Sequence, residues 1–131
     1  MILQGRKIFQ GKVSGAALFT RMSISFYGGV DPDTGIVIER DHELYGMCIS
    51  GRILVFPRGK GSTVGSYTLY RLKKNGLAPA AIINQECETI TAVGCIISEI
   101  PCIDQVEIGQ LETGMQLTVD GENGTVELIA N

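Results

Sequence analysis

Nine residues, CISGRILVF at 48–56, place the tightest constraint on how this chain can fold. They read as a buried strand that ends in the apolar ILVF and stops at Pro57. The glycine-rich stretch FPRGKGSTVGS overlaps its end at 56–66. Leu69 and Leu72 then stand three apart, Arg71, Lys73 and Lys74 gather in what would be a last turn, and Asn75-Gly76 supplies a left-handed stop. A helix is therefore expected over 63–74, with Ser62 near its N-cap. Strand, glycine loop and helix follow one another, so any group on the loop sits where backbone N–H groups can face an anion.

The remainder reads mostly as short strands. Residues 7–13 and 22–26 carry alternating or β-branched runs, and GIVIE at 35–39 follows the turn DPDTG. Pro79 precedes the apolar AAII, IPCID follows another apolar run at 95–100, and the tail MQLTVDGENGTVELIA reads as a hairpin turning at DGENG. One clear helix among many strands predicts a β-rich α/β barrel or sandwich with a helix on its flank. At 131 residues and 44% hydrophobic, the chain suits one domain over 1–131. Arg6 interrupts the N-terminus before an apolar signal could form, and no run reaches the roughly 18 residues of a membrane span, so the expected location is the cytoplasm.

Charge is distributed unevenly. Residues 1–74 hold all eleven Lys and Arg against five acids, a net +6, while residues 75–131 hold nine acids and no base, a net −9. Arg58 and Lys60 lie between the loop glycines, where they would draw an anion; Arg71, Lys73 and Lys74 suit a solvated helix face. A pI near 5.1 and only eight aromatic residues argue against nucleic-acid binding. Cys48, Cys87, Cys95 and Cys102 show no CxxC pair, which favours buried reduced thiols over metal ligands. His42, the sole histidine, lies between Asp41 and Glu43, the setting of a surface loop more than of a base.

Two nucleotide motifs fail on spacing. Gly59-Lys60 is followed by Gly61 where a P-loop needs Ser or Thr, and Gly59, Gly61 and Gly65 are spaced G-x-G-x-x-x-G rather than as a dinucleotide fingerprint. The residues alone leave open a phosphate cradle, a catalytic serine or a turn.

SISFYGGVDPDTG at 23–35, DHELYG at 41–46, SGRILVFPRGKGSTVGS at 50–66 and LAPAAIIN at 77–84 together resemble the small subunit of the aconitase X family, in order, spacing and length across nearly the whole chain. That resemblance implies a swivelling β/β/α domain, the counterpart of the mobile fourth domain of aconitase. It implies a hydro-lyase that is inactive without a large subunit carrying an iron–sulfur cluster, with no cofactor bound by this chain. The implied substrate is a small phosphorylated hydroxy acid, 5-phosphomevalonate, with cis-3-hydroxyproline as the alternative. Ser62 takes the place of the family's serine base. Arg58, Gly59, Lys60, Gly61 and Thr63 would form the binding surface around it, and Gly28, Gly29 and Asp31 a second element approaching the site. Aconitase and isopropylmalate isomerase carry Ser-Arg after the Gly-Ser pair, where this chain has Thr63-Val64, so the carboxylate clamp must come from the large subunit or from Arg58. The tail also resembles the last hairpin of phosphohistidine swivelling domains, which are phosphoryl carriers, but the turn before the helix here holds no histidine. A non-catalytic anion-binding module is the third reading.

Overall fold

A computed structural model describes residues 1–130. In chain order the elements are β1 (Ile2–Gln4), β2 (Arg6–Phe9), β3 (Lys12–Phe19), α1 (Phe26–Gly29), β4 (Ile53–Phe56), α2 (Gly65–Lys74), β5 (Ala81–Asn84), α3 (Thr89–Ser98), β6 (Cys102–Asp104), a 3-10 turn (Ile108–Gln110), β7 (Gln116–Asp120) and β8 (Thr125–Ala130). The strands form one mixed sheet in the order β1-β8-β7-β3-β4-β5-β6-β2. Strands β3, β4, β5 and β6 are parallel; the others join antiparallel.

β1 and β2 occupy opposite ends of that order, yet only Gly5 separates them in sequence. Two Cα steps of about 3.8 Å must span the gap, so the sheet curls until its edges nearly meet. Gly5 donates to the Gly124 carbonyl at 2.8 Å, and a Cβ there would lie 2.5 Å from the Asp104 carbonyl oxygen. The edge is tied further by Arg6, whose Nε and Nη2 each donate to a carboxylate oxygen of fully buried Asp104 at 2.9 Å. That pairing raises the Arg6 guanidinium above its ordinary pKa.

The barrel-like curl creates two apolar layers. Ile53, Val55, Ala81, Ile83 and Ile103 face inward with Leu117, Val119 and Val126. Leu54, Phe56, Ile82 and Cys102 face outward beneath Leu69 and Leu72 of α2 and Cys95 of α3. β4 thus alternates between two buried faces, and none of its four side chains is exposed. Each such side chain stabilises the fold by about 1.5–3 kcal/mol.

Several local expectations change. The strand expected over 48–56 shortens to 53–56, preceded by a turn and an isolated bridge between Ile36 and Cys48. Residues 22–26 and 35–39 give isolated bridges, and the run at 7–13 divides into β2 and β3 at Gln10-Gly11. The single-helix expectation is corrected by α3. Its sequence, TITAVGCIIS, is rich in β-branched residues that favour strands. Helix wins because Glu88 caps Ile90 and Thr91 N–H groups at 2.8 and 3.0 Å, and because Gly94 lets α3 close onto Leu69 of α2. The hairpin turns where expected, with Asp120 Oδ1 accepting from the N–H groups of Glu122 and Asn123.

Phe56→Ala is expected to cost about 3–5 kcal/mol, because it removes the fully buried ring and its edge contact with Phe26 at 5.8 Å. Urea denaturation of both proteins measures the difference.

Candidate active site

The segment from Pro57 to Val64 leaves the C-terminal end of β4, and its course is set by neighbouring backbone. Ile24 pairs in parallel with Gly59: Ile24 N–H donates to the Arg58 carbonyl at 3.3 Å, and Lys60 N–H donates to the Ile24 carbonyl at 2.9 Å. Gly59 is pressed against Glu88 and Thr91 at the start of α3, leaving no room for a Cβ. Gly61 adopts φ +92°, and a Cβ there would lie 2.5 Å from Ser25 Oγ. Both loop glycines are therefore fixed by what they touch.

Ser62 is exposed, and its Oγ accepts the Val64 N–H at 3.1 Å. It does not cap α2 directly, since the helix begins at Gly65 with Val64 in the cap position. Instead it closes a hydroxyl turn one step earlier, while Gly65 N–H donates to the Ser62 carbonyl at 2.9 Å. Among the described residues, no protein acceptor engages the N–H groups of Gly61, Ser62 or Thr63. Three successive donors without a protein partner beside a hydroxyl are available to an anion. The Val64 N–H also favours the charged form of the Ser62 oxygen.

Two other hydroxyl residues of the region differ from Ser62. Ser66 is buried and donates to the Ile90 carbonyl at 2.7 Å. Thr63 is exposed and contributes its carbonyl to the first turn, accepting from Ser66 N–H at 3.2 Å.

Opposite the loop stands the segment from Ser25 to Gly29. Ser25, Tyr27, Gly28, Gly29, Glu39 and Lys60 line a shallow depression of about 350 Å³ beside Gly61. Gly28 and Gly29 therefore do meet the loop, whereas Asp31 turns away: its Oδ1 accepts the Asp33 N–H at 2.9 Å, fixing the DPDT turn. Ser25 and Glu39 escaped the reading of the sequence. Ser25 meets Gly61 from 36 positions away and Glu39 is 21 residues from its partner, pairings no local spacing reveals.

The expected cationic field is largely neutralised. Lys60 Nζ lies 3.1 Å from Glu39, Arg58 3.5 Å from Glu86 and Arg71 3.2 Å from Asp33. Arg52 turns to the Ala17 carbonyl. All three ion pairs at the loop are solvent-exposed, so opening one costs on the order of 1 kcal/mol or less.

His42 is a correction. It is buried rather than set on a surface loop, and both ring nitrogens are used: Nδ1 accepts the Leu44 N–H at 3.1 Å, which leaves Nε2–H to donate to the Ser23 carbonyl at 3.1 Å. The ring ties the 41–46 turn to the segment leading into Ile24 and Ser25. Its neighbour Glu43 accepts from the Thr20 hydroxyl and, at 3.0 Å, from the Arg21 N–H. These two bonds hold the Glu43 carboxyl below its usual range.

The cysteines do not assemble a metal set. Cys87 and Cys102 stand 3.9 Å apart, and that sulfur contact together with burial pushes the Cys87 thiol far above its usual range. For Cys102 the Cys87 contact lowers the pKa, but the Cys95 contact and burial outweigh it and keep the thiol protonated. Cys48 is exposed beside the Thr34 carbonyl. Among the described residues no three His, Cys, Asp or Glu side chains could hold a metal ion, so this chain's residues do not fit an iron–sulfur cluster. The described residues also include no helix long and apolar enough to cross a membrane. A larger cavity, of about 580 Å³, opens at the ends of the parallel strands between Arg21, Gln85 and Glu107, and none of the expected site residues lines it.

A curled mixed sheet with two helices on one face, and a serine loop leaving the end of one of its parallel strands, defines a β-rich α/β domain of the swivelling class. The chain belongs to the aconitase X swivel domain family, whose pattern it matches over residues 2–128. It is 55% identical to the phosphomevalonate dehydratase small subunit of Thermococcus kodakarensis, covering 98% of this chain and 97% of that protein. It is 53% identical to the protein of the same name from Methanocella arvoryzae, over 98% and 99%. The crystal structure of Thermococcus kodakaraensis aconitase X in its holo-form superposes with a TM-score of 0.97 at 54% identity, over 98% of each chain.

Two outcomes follow. Glu43 has a lowered folded-state pKa, so its contribution is present above the ordinary carboxylate range and lost as pH falls through the folded value. Glu43→Gln should therefore reduce stability near pH 7, and the gap from the parent should close towards about pH 3 in denaturation curves at each pH. Gly61→Ala should distort the loop through Ser25 and raise KM or lower kcat in the assembled enzyme, and its left-handed backbone should lower the melting temperature by a few degrees, about 1–2 kcal/mol.

Proposed function

We propose that the chain is the small subunit of a heteromeric hydro-lyase that dehydrates (R)-5-phosphomevalonate to trans-anhydromevalonate 5-phosphate in an archaeal-type mevalonate pathway, in the cytoplasm. The names of its relatives, at about half identity over nearly full length, support the substrate. The observation that carries the role of this chain is the Ser62 hydroxyl, exposed, held by the Val64 N–H and flanked by free backbone donors.

The reaction removes a proton from the carbon next to a carboxylate and expels hydroxide from the following carbon. The C–H electron pair becomes the new double bond, the C–O pair leaves with oxygen, and the proton passes to the base. Serine is a weak base in water, because its alkoxide is strongly disfavoured. At Ser62 the Val64 N–H, the open start of α2 and the loop donors all favour negative charge on that oxygen. Ser62 is the proton acceptor in this reading. Gly59 and Gly61 shape its loop, and Gly28, Gly29 and Thr63 border it. Lys60 and Arg58 serve the substrate's anionic groups by exchanging their acidic partners for them, and Asp31 acts by holding its turn.

The electrophilic half of the site then belongs to a large subunit, where we place the iron–sulfur cluster. His42 has no free nitrogen to carry a phosphoryl group, which counts against the phosphoryl-carrier reading. Nothing on this chain favours cis-3-hydroxyproline.

In the assembled complex, Ser62→Ala should lower kcat at least about 100-fold while leaving association intact, as expected for loss of a general base. Turnover of 5-phosphomevalonate near the parent rate, with the complex formed, would remove Ser62 from that role. Lys60→Ala should raise KM for the phosphorylated substrate, read from the same assay.

A further inference from the structure

Exposed large apolar side chains gather next to the serine loop. Tyr27 is 56% exposed, Ile38 46%, Val64 44% and Tyr67 66%. Together they border a mainly apolar depression of about 240 Å³, whose rim carries the Asp33–Arg71 ion pair. Tyr27 and Gly28 line both this depression and the shallower one beside Lys60 and Gly61, so the two adjoin. Val64 stands two residues from Ser62 and provides the N–H that its oxygen accepts.

A solvated monomer gains nothing by exposing two tyrosines and two aliphatic side chains around one hollow, and such patches mark contact surfaces. Tyrosine suits such a place because it offers a rigid apolar body and a polar tip. The occupant follows from the incomplete site. Whatever delivers the electrophilic half to Ser62 must approach over the loop, and a surface seated there cannot avoid Val64 and Tyr27. A further run of exposed aliphatics, Val93, Ile96 and Ile97, lies on α3, but Ile96 and Ile97 are near the end of that helix away from Glu88 and the loop.

Resting on the reading of this chain as a small subunit, we propose that the Tyr27–Ile38–Val64–Tyr67 depression is the docking surface for the large subunit, which inserts an uncharged apolar side chain into it and pairs polar groups with the Asp33–Arg71 rim. Closure of this contact covers Ser62 and excludes water from the site. An interface of ordinary size needs roughly 800 Å² from each partner, so the depression forms its centre and the serine loop part of its margin.

The test co-expresses each variant with its large subunit and measures affinity by surface plasmon resonance, with circular dichroism melts to show that the variant is folded. Tyr67→Asp and Ile38→Asp should each weaken association about 30-fold or more, the loss expected at the centre of an interface, and Tyr67→Ser should weaken it less in the same direction. Ile96→Asp should associate as the parent does. Unchanged affinity for folded Tyr67→Asp and Ile38→Asp, or an equal loss for Ile96→Asp, would overturn the assignment. So would unchanged affinity with a raised KM, which would give the depression to the substrate. A parent chain that binds no large subunit would remove the dehydratase reading itself, and this surface with it.

Discussion

Burial of β4 on both faces is the constraint from which the rest of the structure follows. Ile53 and Val55 are sealed inside the curled sheet, and Leu54 and Phe56 beneath α2 and α3, so the strand cannot slide without exposing one set or the other. That fixes the point at which the chain emerges at Pro57, and hence the origin of the serine loop. The loop is then aimed by contacts from outside the strand–loop–helix unit: the Ile24 backbone on one side and the start of α3 on the other. A serine on a flexible turn would sample many directions. Here both flanking glycines are packed against fixed neighbours, so Ser62 is carried on a loop that is exposed yet held.

The long excursion between β3 and β4 contains little regular structure but has a definite task. It brings Ser25, Gly28, Gly29 and Glu39 to the loop. Its order comes from side chains that substitute for a ladder: buried His42 bridging Leu44 and Ser23, Glu43 holding Thr20 and Arg21, and Asp31 closing its own turn. These polar residues look like site candidates by type, since histidine and carboxylates do most acid–base chemistry. Their hydrogen-bonding capacity is instead taken up by backbone groups and, for Glu43, also by the Thr20 hydroxyl, and the residue left open to solvent is the chemically weaker serine.

The segregation of charge along the chain finds its physical outcome in the same packing. Arg6 meets Asp104, Lys7 meets Glu122 and Arg58 meets Glu86, each pair joining the basic first half to the acidic second. Opposite charges far apart in sequence therefore become neighbours, and the basic loop presents less positive potential than its composition suggests. Free N–H groups and the helix start remain as the unneutralised electrostatic features at Ser62, because a backbone dipole cannot be quenched by a distant carboxylate as a lysine can.

Much of this could be read from the residues in order. The apolar run at 48–56, the glycines and Ser62 after it, the helix ending at Asn75-Gly76 and the DGENG hairpin are local patterns whose physical causes, burial, φ freedom and capping, act over a few residues. Helix α3 was hidden because β-branched residues favour strands until Glu88 caps them and Leu69 packs against them. The buried state of His42, the Lys60–Glu39 pair and the nearness of Ser25 to Gly61 were hidden for the same reason: each joins residues more than fifteen positions apart, and no spacing rule reaches that far. The amino-acid sequence by itself determined a β-rich domain with a serine on a glycine loop. Only the tertiary structure decided what surrounds that serine, since the groups that aim it come from other elements through contacts that exist only once the sheet has curled and the helices have docked.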